Sequence, residues 1–111
     1  MTAHQHQPLV LLDEQPADKA WVRISGPGFL KTGYLIWHPG LTLASIEDEI
    51  GYNRSFGPLI LVRIFRHHQR IYERKATEAL HGVLNAGPIT PKADAPELRP
   101  GDIVSADRCF L

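Results

Sequence analysis

Alternating apolar and polar side chains predict the first strand of the fold. Between residues 20 and 25, the apolar Val22 and Ile24 alternate with Trp21 and Arg23. This period of two is typical of a strand that buries one face. We therefore expect Val22 and Ile24 to point into a core, and Trp21 and Arg23 to point away from it.

A second strand is predicted over residues 32–37, after a break rich in glycine and proline. Alternation places Tyr34 and Ile36 on one face, and Leu35 and Trp37 on the other. The two strands together predict a hairpin with a long loop.

A short helix is predicted after this hairpin. Thr42 is suited to cap its N-terminus, because a threonine hydroxyl can accept a hydrogen bond from a free amide of the first turn. Leu43, Ile46 and Ile50 then recur at the spacing of one helix face. Gly51 is a natural residue to end the helix.

The second half of the chain predicts two paired strands and a closing strand. Residues 59–65 are the most strand-like run, and residues 69–76 can pair back onto them through a polar turn. A second short helix is predicted over residues 78–84. The turn Pro100-Gly101-Asp102 leads into a last strand that starts at Ile103.

Length and charge bound the architecture and the classes of partner. A chain of 111 residues is long enough for one domain with one modest core, which we expect over residues 20–111. We expect residues 1–19 to form a flexible tail and arm. Twelve basic and twelve acidic residues give a net charge of zero, so we do not expect nucleic-acid binding. No apolar run approaches the roughly 20 residues of a membrane span, so membrane insertion is not expected either.

Several motifs occur together in an order that is similar to a known family. They are Val22–Gly26, Gly33-Tyr34, Gly40–Leu43, Leu59–Ile64, Glu78–Leu84 and Leu98–Ile103. In this order they resemble the soluble-ligand-binding β-grasp module of bacterial polysaccharide export proteins. The resemblance implies an α+β fold: a β-grasp-like mixed sheet, with one main helix packed across it and a second short helix.

The resemblance also implies a module that binds and assembles but does not catalyse. With no signal peptide visible, the chain as written is expected in the cytoplasm, or in the periplasm if it is a fragment of an exporter. The leading hypothesis is a protein–protein assembly subunit or adaptor, whose partner is a second copy of the chain or another protein. The alternative is binding of an acidic polysaccharide, with Tyr34, Trp37 and Arg63 as contacts.

A dense group of basic residues is a candidate binding surface. Arg63, Arg66, Arg70, Arg74 and Lys75 are five of the twelve basic residues and lie within thirteen positions. Arginine favours bidentate recognition of carboxylates and phosphates, so the group predicts a cationic patch. The alternative is a solvated hairpin whose charges protect an edge strand from aggregation.

Aromatic and aliphatic side chains supply candidate interface residues. Trp21, Tyr34 and Trp37 are candidates for partner contact or sugar stacking, with the tryptophans opposite the main core. The alternative is a second small core beneath the arm at residues 9–12. The apolar residues near the two ends complete the predicted interface: Leu9, Leu11, Phe110 and Leu111.

Catalytic and metal chemistry are not predicted. The six histidines lack the spacing of a metal site, and the single cysteine, Cys109, has no partner for a disulfide. The run Glu47–Glu49 does not place a carboxylate pair on one helix face. We therefore expect neither an enzyme nor a bound cofactor.

Overall fold

The fold is given by a computed structural model, which describes residues 9–53, 60–76 and 95–108. Within these ranges the chain forms six strands and one helix. They are β1 (Leu11–Leu12), β2 (Trp21–Ser25), β3 (Gly33–Ile36), α1 (Leu43–Ile50), β4 (Ile60–Arg66), β5 (Gln69–Ala76) and β6 (Ile103–Arg108).

The strands form one six-stranded mixed sheet in the order β1-β3-β2-β6-β4-β5. The last strand, β6, lies between β2 and β4; it is parallel to β2 and antiparallel to β4. The other neighbouring strands are antiparallel. The predicted α+β class, with a mixed sheet and one main helix, is confirmed. The predicted helix over residues 78–84 lies outside the described residues.

One face of the sheet, which we call the inner face, carries the core together with α1. The alternation predicted for β2 is confirmed, since Val22 and Ile24 are buried while Arg23 is exposed. The buried residues of the inner face and the helix form one cluster, which includes Val22, Ile24, Leu35, Leu43, Ile46, Ile50, Ile60, Val62, Ile64, Val104 and Ala106.

The helix begins and ends where the sequence predicts. The Thr42 hydroxyl accepts a hydrogen bond from the Ser45 amide at 3.3 Å, and the Ser45 hydroxyl accepts one from the Thr42 amide at 3.3 Å. This reciprocal capping box satisfies two donors at the helix start. Gly51, with a φ of 79°, ends the helix and donates its amide to the Glu47 carbonyl at 3.1 Å.

The opposite side of the sheet, which we call the outer face, carries side chains that are half-buried or exposed, except for Ser105, which is buried. No helix or strand among the described residues packs against it. Strand alternation and register assign to it Trp21, Arg23, Ser25, Tyr34, Ile36, Leu61, Arg63, Phe65, Arg70, Glu73, Lys75, Ile103, Ser105 and Asp107.

The loop after β2 approaches the backbone of β6 so closely that it requires glycine. Gly26 has a φ of 97°, and a Cβ placed on it would lie 2.3 Å from the Ala106 carbonyl oxygen. Gly28 donates its amide to the same oxygen at 2.8 Å. These contacts hold the loop against the centre of the sheet.

We expect Gly26→Ala to destabilise the fold more than Gly40→Ala. Gly40 has a similar φ of 88° but nothing within 4 Å of a Cβ, so alanine there incurs only the backbone cost of about 1–2 kcal/mol. Gly26→Ala adds a backbone clash, with at least about 1 kcal/mol of further loss. Urea unfolding of both variants measures the difference. Equal losses would contradict the close approach.

Candidate interaction site

A continuous row of side chains crosses the outer face from strand to strand. Register pairs Tyr34 with Arg23, Arg23 with Ile103, Ile103 with Phe65, and Phe65 with Arg70. Directly paired side chains in neighbouring strands lie close enough to interact. The row therefore has an apolar centre, Ile103 and Phe65, with a guanidinium on each side.

Aromatic contacts order one end of this row. Trp21 packs edge to face against Tyr34, with ring centroids 5.3 Å apart and an interplanar angle of 88°. The Arg23 guanidinium lies 5.8 Å from the centroid of the Tyr34 ring, in a cation–π contact. These contacts hold Trp21, Tyr34 and Arg23 as one group on the outer face.

A shallow pocket of about 280 Å³ opens beside the centre of the row. Trp21, Phe65 and Ile103 contribute its apolar surface. Its sides come from the β4–β5 turn and from the turn that precedes β6, through His67, His68 and Pro100. The pocket thus lies where the start of β2, the end of β4 and the start of β6 meet.

The β4–β5 turn presents its two histidines in an uncommon backbone conformation. His67 and His68 have φ values of 52° and 67°. Two consecutive positive φ values between antiparallel strands are those of a type I′ hairpin turn, in which Asn-Gly is preferred. The sequence predicted a polar turn at this position but not its backbone geometry.

An ion pair between Arg66 and Asp102 supports the other side of the pocket. Arg66 donates from Nε and Nη2 to the two Asp102 carboxylate oxygens, each at 2.9 Å, and Asp102 is fully buried. The Arg99 amide donates to the same carboxylate at 2.8 Å. The hydrogen bond to Asp102 raises the pKa of Arg66, although partial burial opposes this effect.

Arg74 lies in the core and not on an exposed cationic surface. It is 5% exposed, and its Nη2 donates both to the Glu47 carboxylate and, at 3.3 Å, to the Tyr52 hydroxyl. Tyr52 also donates to Glu47, which is 6% exposed. Burial lowers the pKa of Arg74. This group ties β5 to α1.

The basic segment between residues 63 and 75 is consequently divided between two sides of the sheet. Arg74 is buried on the inner face, and Arg66 is held by Asp102. Arg63 and Arg70 stay on the outer face, where they share the Glu73 carboxylate at 3.4 and 2.6 Å. The prediction of one continuous cationic patch is therefore corrected, because a buried acidic residue neutralises each of the other two arginines.

The structure also separates the predicted aromatic set. Trp37 packs against the core cluster, and its indole Nε1 donates to the Leu98 carbonyl at 2.8 Å. The expectation that both tryptophans lie opposite the core is thus correct for Trp21 and wrong for Trp37. Leu9 and Leu11 likewise pack against the core cluster of their own chain.

Sequence reasoning missed several members of the site. Phe65, Ile103 and the two turn histidines were not predicted as binding residues. Alternation within residues 59–65 could have assigned Phe65 to the outer face, because it lies two residues after the charged Arg63 and so shares its face. Phe110 and Leu111, which were predicted as interface residues, lie outside the described residues.

Comparison of the chain with protein-family models finds no match, and comparisons with curated proteins and with solved structures find no significant similarity. Within the described ranges, no group of three histidine, cysteine, aspartate or glutamate residues is placed to hold a metal ion. The single helix described is too short to cross a membrane.

We expect Arg74→Met to destabilise the protein by about 3–5 kcal/mol, because it leaves the Glu47 carboxylate buried without its cation. The matched control is Arg70→Met on the same strand, where the pair with Glu73 is exposed and the loss should stay below about 1 kcal/mol. Denaturant unfolding of both variants makes the comparison. A similar loss of unfolding free energy in both variants would contradict the burial of the Glu47–Arg74 pair.

We expect Asp102→Asn to cost about 2–3 kcal/mol, since the substitution keeps the size of the side chain but removes the charge that Arg66 pairs with. The resonances of His67 and His68 should shift in the variant, because Arg66 precedes their turn. The control Glu73→Gln removes a half-exposed charge and should change stability by less than about 1 kcal/mol. Unchanged stability in Asp102→Asn would contradict a supporting role for the pair.

Proposed function

We propose that this chain is a non-enzymatic protein-interaction module, which binds its partner on the outer face of the sheet. The observation that carries the proposal is the row from Tyr34 to Arg70, whose apolar centre adjoins the pocket. Tryptophan, tyrosine and arginine are the residues most enriched among the strong contacts of protein interfaces. This face holds all three types, with Trp21 and Tyr34 already in mutual contact.

The difference between the two faces supports this proposal. Core residues on the inner face, such as Val22, Ile64 and Val104, have at most 1% of their surface exposed. Outer-face residues of similar character, such as Phe65 and Ile103, remain half-buried. A protein partner that covered them would remove further apolar surface from water, which favours association.

We also infer that the strands and the helix have a β-grasp-like arrangement. An adaptor role agrees with the family that the motifs resemble. The order β3-β2-β6-β4-β5 supports this arrangement, with the first and last of these five strands in the chain, β2 and β6, parallel at the centre. The helix between β3 and β4 packs on one face, as a β-grasp requires. In this interpretation, β1 adds a short edge strand.

The geometry favours a protein partner over the alternative of an acidic polysaccharide. The saccharide hypothesis used Tyr34, Trp37 and Arg63 as joint contacts. Trp37 lies on the core side, whereas Tyr34 and Arg63 lie on the outer face. The three contacts of the saccharide hypothesis therefore do not lie on one face. A protein partner bound to the outer face, in contrast, needs no contribution from Trp37.

Site-specific photo-cross-linking tests the proposal. We expect benzoylphenylalanine at Tyr34 or Phe65, introduced in the cells that produce the protein, to give an adduct of one defined mass. Mass spectrometry of the adduct then identifies the partner, and an adduct of twice the chain mass identifies a second copy.

The control for this experiment is benzoylphenylalanine at Leu30, an apolar residue that is 60% exposed near the end of α1. It should give no adduct of that mass, because exposure of an apolar residue alone does not create an interface. Equal yields from Leu30, or no adduct from Tyr34 and Phe65, would contradict binding through the outer face.

A further inference from the structure

The proposed function does not specify the chemistry of the partner. The charges of the outer face indicate which kind of partner would bind there. Basic residues outnumber acidic ones on the outer face of the described strands: Arg23, Arg63, Arg70 and Lys75 against Glu73 and Asp107. A second copy of the chain would bring two surfaces of the same sign together. An acidic partner would instead find complementary charge.

The pocket is sized for a side chain and is smaller than most small-molecule sites. Its volume of about 280 Å³ lies just below the usual range for drug-sized ligands. Trp21, Phe65 and Ile103 offer it an apolar lining. One large apolar side chain of a partner therefore suits it.

Two cations flank the Ile103–Phe65 pair that lines this pocket. Arg23 is the cross-strand neighbour of Ile103, and Arg70 is the cross-strand neighbour of Phe65. Three strand spacings separate Arg23 from Arg70, which is a distance of about 14 Å. Within the described residues, Arg23 contacts the Tyr34 ring and no carboxylate, while Arg70 and Arg63 share the single carboxylate of Glu73.

We propose that the partner presents an extended acidic segment, with a carboxylate, an apolar anchor and a second carboxylate at alternate positions. This proposal rests on the proposed function. In an extended chain, side chains two residues apart point to the same side, and residues four apart are separated by about 13 Å. The pattern acid-x-apolar-x-acid thus matches the spacing from Arg23 across the Ile103–Phe65 pair to Arg70.

The probe is the synthetic peptide acetyl-Glu-Ser-Phe-Ser-Glu-amide, added to the full isotope-labelled chain at low salt. We expect dose-dependent amide shifts at Phe65, His67, His68 and Ile103. Two control peptides separate the contributions. Exchange of both Glu for Lys should abolish the shifts by charge repulsion, and exchange of Phe for Ala should weaken binding by removing the anchor.

Protein variants test the two flanking cations. Arg23→Gln and Arg70→Gln should each weaken the acidic peptide about threefold, as expected for exposed charge pairs. Lys31→Gln, which removes an exposed cation from the loop before β3, should leave the affinity unchanged. Equal binding of the Glu and Lys peptides would overturn the charge complementarity.

The remaining outcomes separate this proposal from the proposed function. Cross-links from Tyr34 and Phe65 without any binding of the acidic peptide would overturn the acidic segment but leave a protein interface. Absence of both would overturn the two proposals together. A dimer of the isolated chain at low salt, detected by light scattering and lost in Phe65→Ser, would identify a second copy as the occupant and overturn the acidic partner.

Discussion

The hydrogen bonds of Asp102 hold the last strand in register between its two neighbours, and the arrangement of both faces depends on that register. The Asp102 carbonyl accepts from the Arg23 amide of β2 at 2.9 Å, while its carboxylate binds the guanidinium of Arg66 at the end of β4. A slip of one residue would exchange the faces of every side chain in β6. Val104 would then leave the core, and Ile103 would leave the outer face.

The same register keeps charges on the side where they can be accommodated. On the inner face a guanidinium is tolerated only because Glu47 and Tyr52 meet Arg74, since a buried charge without a partner costs several kcal/mol. On the outer face Arg23 and Arg70 remain at the surface, where solvent screens them. One strand, β5, thus contributes a cation to the core and another to the candidate site, because the bulge in its pairing with β4 places Arg70 on the face opposite to Arg74.

Local patterns predicted the local structure well. The period of two over residues 20–25 and the apolar spacing from Leu43 to Ile50 both correspond to elements of the structure. Thr42 and Gly51 were correctly identified as the residues that bound the helix, because capping depends on side chains and backbone within a few residues. The order of the motifs also indicated a mixed sheet with one main helix; the second short helix that it indicated lies outside the described residues.

The site depends on contacts that local patterns do not contain. Arg66 meets Asp102 across 36 residues, and Arg74 meets Glu47 across 27. The sequence presents these arginines as neighbours of Arg63 and Arg70, whereas strand alternation and a bulge between Ile64 and Phe65 send them to different environments. The row through Ile103 exists only because β6 inserts between β2 and β4, a pairing that no spacing within one segment reveals.

The division of the sheet into a core face and a binding face is tested most directly by the two tryptophans. Hydroxyl-radical footprinting, read by mass spectrometry, can compare Trp21 and Trp37 in the free chain and in the complex with its cross-linked partner. We predict that partner binding protects Trp21 from oxidation and leaves Trp37 unchanged, since Trp37 lies on the core side with its indole Nε1 hydrogen-bonded to the Leu98 carbonyl. Protection of Trp37 with no change at Trp21 would contradict this prediction.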